Sequence, residues 1–214
     1  MLCGVDEAGK GAVLGPLVVA AVGCRRKDEL ADLGVRDSKE LSPQRREALA
    51  GEIRRSFPVA VLSLSPAEID GRGIGLNTLV AHSHAAVISM LAPSVAVVDA
   101  CDVNASRYGE MVTGFLAVPC RVISCHHADR QHPAVSAASI VAKVERDGVI
   151  RRLHDEWGSF GSGYPSDPVT IRFLERYLEE KGEIPPIARR SWETTRTILA
   201  RAEQSDLLKF LSKG

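Results

Sequence analysis

The chain opens on a short apolar run, Leu2-Cys3-Gly4-Val5, that stops abruptly at two acids, Asp6-Glu7. Runs rich in Val, Ala and Leu recur at 16–24, 58–64, 94–99 and 121–125, and with residues 2–7 they predict five short strands. Between and after them the spacing turns helical. Ser42-Pro43 opens a helix with Leu49, Ile53 and Phe57 on one side. Ser65-Pro66-Ala67-Glu68 is a capping-box start, with proline at the first helical position. Asn77 is read as the cap of a helix running to about Leu91. Ser136 to Trp157 reads as a long helix closed by Gly158; Asp167-Pro168 opens another that ends at Gly182, and Ser191 starts a last one. Three early strands, then helix–strand alternation, then helices alone predict an α/β mixed sheet with a helical C-terminal portion. No repeat, low-complexity tract or linker divides the chain. The expectation is a single domain over residues 1–214, with a helical extension over about 165–214.

The acids that close these apolar runs are the candidate chemistry. Read alone, Asp6-Glu7 is a strand end fraying into solvent, the plainer fate of exposed carboxylates. Gly9-Lys10-Gly11 follows at once, and glycines on both sides of a lysine let backbone N–H groups approach a phosphate closely. Val95-Ala96-Val97-Val98 likewise ends in Asp99, and Asp129 follows the strand that ends at Cys125. If these strands neighbour the first, Asp6, Glu7, Asp99 and Asp129 converge at one sheet edge. Two carboxylates ~4 Å apart repel by ~4 kcal/mol at an effective dielectric near 20, so four together call for cations. Oxygen-only ligands suit Mg²⁺ or Mn²⁺, and a carboxylate cluster holding two ions is one solution to in-line phosphoryl displacement.

Several longer segments then resemble one family. GVDEAGKGAVLGPLVVAAV, RDSKELSPQRRE at 36–47, VVDACDV at 97–103, HHADRQHPAVSAASIVAKVERD at 126–147 and GSGYPSDP at 161–168 are similar to the motifs of ribonuclease HII, a type 2 ribonuclease H, most closely in its archaeal form. They fall in the family's order and cover nearly the whole chain. The resemblance implies a ribonuclease H-like fold, a five-stranded mixed sheet flanked by helices. It also implies an endonuclease that cleaves the RNA strand of RNA–DNA hybrids and nicks 5′ of ribonucleotides embedded in duplex DNA, with roles in ribonucleotide excision repair and DNA replication. Asp6, Glu7, Asp99 and Asp129 match the family's metal-binding catalytic acids, with Mg²⁺ or Mn²⁺ as cofactor and 3′-hydroxyl and 5′-phosphate ends as products. Asp102 sits off the matched position and is read as solvent-facing.

By the same resemblance, Gly9, Lys10 and Gly11 form the loop whose backbone contacts the ribonucleotide, and Tyr164 packs beside its ribose. The 2′-hydroxyl is what separates RNA from DNA at one site. Lys10 stands where arginine is usual; it is a point charge without arginine's bidentate fork, and the sister class ribonuclease HIII shares it. That sister class normally carries an extra N-terminal domain, for which a motif beginning at residue 6 leaves no room. Lys39 and Lys143 match basic positions near the nucleic-acid groove, or are ordinary surface lysines. Ser136 and Ser139 contact phosphates from a helix start, or cap it.

Composition alters this picture little. Twenty-seven basic and 27 acidic residues give formal charge zero, without the basic surplus of many nucleic-acid binders. Local pairs such as Arg45-Arg46, Arg54-Arg55 and Arg189-Arg190 read mainly as solvated helix faces. Five cysteines without framework spacing point to reduced thiols in a cytoplasmic protein, and Cys120, Cys125, His126 and His127 lack the paired spacing of a zinc site. No apolar stretch approaches the ~20 residues that span a bilayer.

One signal lies apart from the nuclease motifs. Gln204, Leu207, Phe210 and Leu211 have the spacing of a sliding-clamp-binding peptide, with Leu211 in place of the usual second aromatic. A terminal helix packing on its own domain gives a similar pattern. A monomer is the default, the partners expected are an RNA–DNA hybrid and ribonucleotide-containing duplex DNA, and a catalytically silent binding module on the same fold is the alternative.

Overall fold

The computed structural model describes residues 1–26, 28–35 and 41–211, with residues 205–211 as backbone. Its five strands fall within a residue of the expected ranges: β1 (Leu2–Ala8), β2 (Leu17–Cys24), β3 (Val59–Leu64), β4 (Val95–Asp99) and β5 (Arg121–Cys125). They form one sheet in the order β3-β2-β1-β4-β5. β1 and β2 pair antiparallel from Leu2↔Cys24 to Ala8↔Val18. β4 joins β1 in parallel, Leu2↔Val95 to Val5↔Val98, and β5 joins β4 in parallel, ending at Asp99↔Cys125.

A parallel neighbour needs a crossover, and helices supply it. The helices are α1 (Asp28–Ala31), α2 (Pro43–Ser56), α3 (Pro66–Asp70), α4 (Leu76–Leu91), α5 (Ala105–Gly114), α6 (Ala128–Gln131), α7 (Pro133–Trp157), α8 (Pro168–Lys181) and α9 (Glu193–Leu211). β2 is apolar at nearly every position because both of its faces are covered. Val18, Ala20 and Val22 pack with Leu49 and Ile53 of α2 and Ala137, Ala138 and Val141 of α7. Val19 and Ala21 point the other way, toward Ala81, Ala85 and Ile88 of α4 and Tyr108 and Val112 of α5.

The caps follow the sequence at most ends. Ser42 Oγ accepts from the Arg45 N–H at 3.2 Å, and Ser65 with Glu68 completes a reciprocal capping box. Asp167 accepts from the Val169 N–H at 2.9 Å, and Gly182 ends α8 in the left-handed region. Three starts differ from expectation. α4 is capped by Gly75, and Asn77 instead donates from its amide to Asp102 at 3.3 Å. Ser136 lies inside α7, which starts at Pro133. α9 starts at Glu193, because the Ser191 hydroxyl is donated to Asp70 at 2.6 Å.

The chain groups into two compact units. The first comprises Met1–Lys10, Val18–Ser63 and Arg72–Asp147; the second comprises Gly11–Leu17, Leu64–Gly71 and the chain from Gly148 onward. The second unit has its own core of Val13, Leu14, Ile150, Phe160, Phe173, Leu174, Ile184 and Ile187. Arg189 is wholly buried in it; its Nε donates to the Gly15 carbonyl at 3.1 Å, and its guanidinium lies 4.6 Å from the Trp192 ring centre. In the first unit Arg46 is buried against Asp147, and Arg54 donates to Glu145 at 2.6 Å. Three of the basic pairs therefore contain a residue engaged in intramolecular contacts. Among the described residues no helix is long and apolar enough to cross a membrane.

Candidate active site at the carboxyl ends of β1 and β4

Register builds this site. Because Val5 stands opposite Val98 in parallel strands, the residues that follow them, Asp6 and Asp99, stand side by side, Asp6 still paired with Ala20 of β2 and Asp99 with Cys125 of β5. Neighbouring strand residues point to opposite faces, so Asp6 and Glu7 are held from different sides. Ser139 of α7 hydrogen-bonds the Asp6 carboxylate, which also accepts from the Glu7 N–H at 2.8 Å. Glu7 Oε2 lies 3.1 Å from Nε2 of His84 on α4. Asp99 accepts from the Ala128 N–H at 3.0 Å, which ties the end of β4 to α6, and the next residue, Asp129, is buried.

The carboxyls of Asp6 and Asp99 respond to the acids around them. Burial first, then the Glu7 charge, pushes the Asp6 carboxyl well above the ordinary carboxylate range; Ser139 opposes this and Asp99 adds to it. Asp99 is also raised, mainly by burial, with the charges of Asp129 and Glu7 adding and the Ala128 N–H opposing. Among the described residues no three His, Cys, Asp or Glu side chains form a ready-made metal-holding group. The donor set still fits a hard divalent cation. It offers carboxylate oxygens alone, and its crowding of negative charge is what such an ion relieves.

The remaining expected residues are dispersed. Gly9 has φ +84°, and the Lys10 ammonium donates to the Cys101 carbonyl at 2.6 Å, both within the first unit. Gly11 and Tyr164 belong to the second unit, where the Tyr164 carbonyl accepts from the Asp167 N–H at 3.1 Å. Lys143 is half-buried on α7. Lys39 lies outside the described residues, as do Asp37 and Ser38. Gln204 is exposed on α9, whereas Leu207, Phe210 and Leu211 fall where only backbone is described.

Asp102 is a correction. It is buried rather than solvent-facing, and accepts from the Asn104 N–H at 3.0 Å, from Asn77 and from Arg107. These donors, the Asn104 N–H first, hold its carboxyl below the usual range, so it serves the β4–α5 turn. Sequence reading also missed His84 and Tyr108. Both are buried, and Tyr108 Oη lies 3.1 Å from His84 Nδ1. The one available signal was polar rings on the apolar faces of α4 and α5.

A five-stranded mixed sheet in the order β3-β2-β1-β4-β5 with helices on both faces, its first and fourth strands carrying acids at or near their carboxyl ends, is of the ribonuclease H-like class. The sequence matches the family Ribonuclease HII over residues 3–195. Ribonuclease HII of Methanoregula boonei is 54% identical over 212 residues, which is 98% of this chain and 100% of the relative. Among solved structures, the PCNA:RNase HII complex from Archaeoglobus fulgidus superposes with TM-score 0.86 at 44% identity, covering 92% of this chain and 96% of that one. Bst-RNase HIII in complex with Mn²⁺ gives TM-score 0.81 at 25% identity, covering 95% and 70%. The chain belongs to the ribonuclease HII family, and it is a ribonuclease H, a metal-dependent endoribonuclease.

Proposed function

We propose that this ribonuclease hydrolyses the RNA strand of RNA–DNA hybrids and nicks 5′ of single ribonucleotides in duplex DNA, leaving 3′-hydroxyl and 5′-phosphate ends. The observation that carries the proposal is the parallel register of β1 with β4, which sets Asp6 and Glu7 beside Asp99, with Asp129 buried on α6 next to the Ala128 N–H that binds Asp99. These four residues would hold two Mg²⁺ or Mn²⁺ ions. Such ions, when bound, supply an activated water and neutralise charge developing on the leaving 3′-oxygen. The protein's own part is to keep the acids placed: Ser139 steadies Asp6, the Ala128 N–H fixes Asp99, and burial limits competing water. Gly9, Lys10, Gly11 and Tyr164 are proposed to read the ribonucleotide, with Lys39 and Lys143 following the backbone.

The test is cleavage of two duplexes, one with a lone ribonucleotide in a DNA strand and one a full RNA–DNA hybrid, in Mg²⁺, Mn²⁺ or EDTA. Metal-dependent nicking 5′ of the lone ribonucleotide is the expected result. Cleavage of the long hybrid alone would remove the junction reading and tie Lys10 to hybrid specificity. Binding of both duplexes without cleavage would favour a silent binding module.

A sliding clamp is the further partner proposed, through Gln204, Leu207, Phe210 and Leu211. The supporting facts are the peptide's spacing, the exposed Gln204, and the clamp complex formed by the Archaeoglobus relative. Removal of residues 204–214 is expected to abolish capture by a sliding clamp in a pull-down and to leave hybrid cleavage unchanged. Undiminished capture would reject the assignment.

A further inference from the structure

The carboxylates of β1 are supported unequally. Asp6 has a hydroxyl from α7 and a backbone N–H beside it, whereas Glu7 points to the opposite face and meets His84. His84 is wholly buried, and so is Tyr108 behind it. The rings stand edge to face at 5.7 Å with an interplanar angle of 87°. Behind Tyr108, the Cys101 thiol is hydrogen-bonded to the phenol, and the Lys10 ammonium is bonded to that same cysteine's carbonyl.

With the ring neutral, donor and acceptor arithmetic gives this chain a consistent order. An ionised Glu7 carboxylate only accepts, so Nε2 of His84 must carry the proton that faces it. In that tautomer of the neutral ring Nδ1 is an acceptor, and the Tyr108 hydroxyl donates to it. Burial, with the nearby Cys101 and Glu7 charges, pushes the Tyr108 hydroxyl far above its ordinary range, so the phenol keeps the proton it donates.

We infer that His84 is a positioning residue that aims the Glu7 carboxylate at the bound metal, and that Tyr108 fixes the ring tautomer that lets it do so. The inference rests on the metal-holding role proposed above for the four acids. Groups that orient a ligand through a hydrogen bond typically alter metal affinity by 10- to 100-fold when removed. Neither residue touches substrate or the reacting atoms in this role. His84 and Tyr108 lie on different helices, 24 positions apart, and both are wholly buried, Tyr108 in the core that also holds Val5 and Val98, so the device is built into the fold rather than into a loop.

The experiment measures Mn²⁺ binding by electron paramagnetic resonance, without nucleic acid, for the wild type, His84→Gln, His84→Asn, Tyr108→Phe and Asp99→Asn. The glutamine amide reproduces a donor at the Nε2 position, whereas the asparagine amide reaches only the Nδ1 position. His84→Gln is expected to stay within about threefold of wild type, and His84→Asn to lose about tenfold or more. Tyr108→Phe keeps its ring in the core and is expected to lose roughly threefold or more, which carries the test should His84→Asn fail to fold. Turnover lost by His84→Asn should return as Mn²⁺ is raised, because a misaimed ligand weakens occupancy while damage to the fold is not rescued by metal. Equal affinity of the asparagine and glutamine variants, or wild-type affinity in Tyr108→Phe, would overturn the role. Undiminished Mn²⁺ binding by Asp99→Asn would instead strike the metal assignment itself, and this inference with it.

Discussion

Asp99→Asn is expected to lower hybrid turnover by about 10³-fold, the scale of removing one preorganised group that stabilises charge in a transition state. Binding of the hybrid should persist. The amide keeps the shape of the side chain and can still accept from the Ala128 N–H, so β4 and α6 stay tied. What it loses is the negative charge shared with Asp6, Glu7 and Asp129. The same substitution should stabilise the metal-free protein at neutral pH. The folded state raises the Asp99 carboxyl, chiefly by burial, so it holds that proton more tightly than the unfolded chain does. Stability is therefore lost as pH rises from the unfolded carboxylate value, ~3.9, through the folded one, and the wild type carries that loss at pH 7. Asn carries none. Melting in EDTA should place the variant at or above wild type at pH 7, with the gap closing below about pH 4. Mn²⁺ at a hundred times its Kd should then raise the wild type by ~2.7 kcal/mol, roughly 5–10 °C, and the variant far less. Wild-type turnover in Asp99→Asn would refute the metal assignment. A fall in its metal-free melting temperature would show that the charge effects at the acids do not burden the fold.

The strands and the acid pair were legible because both are local. A β-strand covered on both faces prints a continuous apolar run, and β2 does so from Leu17 to Gly23. A carboxylate directly after such a run is conspicuous wherever the strand lies, which is how Asp6 and Asp99 stood out. Their adjacency was not local; it needed the parallel register of β1 with β4, which no short window contains. His84 escaped for the same reason. Its partner Glu7 is 77 positions away, and inside the Leu76–Leu91 helix a histidine among alanines and valines looks like a core residue. Asn77 misled in the opposite direction. Its preference for helix starts is real, but Gly75 already supplies the extended residue there, and Asp102 offers the amide a better partner. α5 was missed because Ala105–Gly114 is short, holds two glycines and has few apolar residues; Tyr108 and Val112, with Met111 beside them, anchor it in the core. Arg189 looked like half of a surface pair, and only the Gly15 carbonyl and the Trp192 ring explain how the interior accepts it.

Gly4→Ala is expected to be the most damaging single-methyl change in the first unit. Gly4 lies on the face of β1 that α7 crosses at its start. A Cβ there would stand 2.1 Å from the Ala134 carbonyl carbon, 2.2 Å from the Val135 nitrogen and 2.4 Å from the Ala134 oxygen. All three are backbone atoms, so no rotamer change relieves the clash and the helix itself must move. That movement would be costly, because Ala134, Ala137, Ala138 and Val141 are buried against β2 and α2. A loss of about 3 kcal/mol or more is expected, which for a chain of this size lowers the melting temperature by roughly 10 °C. Gly23→Ala is the matched control. Its added methyl would meet the Met1 sulfur at 2.9 Å, the far part of a flexible side chain that can swing aside, so about 1 kcal/mol or less is expected. The comparison also reaches the chemistry. α7 carries Ser139, whose hydroxyl steadies Asp6, so a helix displaced from Gly4 also misplaces that hydroxyl. Gly4→Ala should therefore lose turnover even at temperatures where it remains folded, while Gly23→Ala should not. If both variants melt together and cleave alike, the close approach of α7 to β1 does not set the position of Asp6. If Gly4→Ala alone falls on both measures, one missing methyl group couples the stability of the sheet to the placement of its first acid.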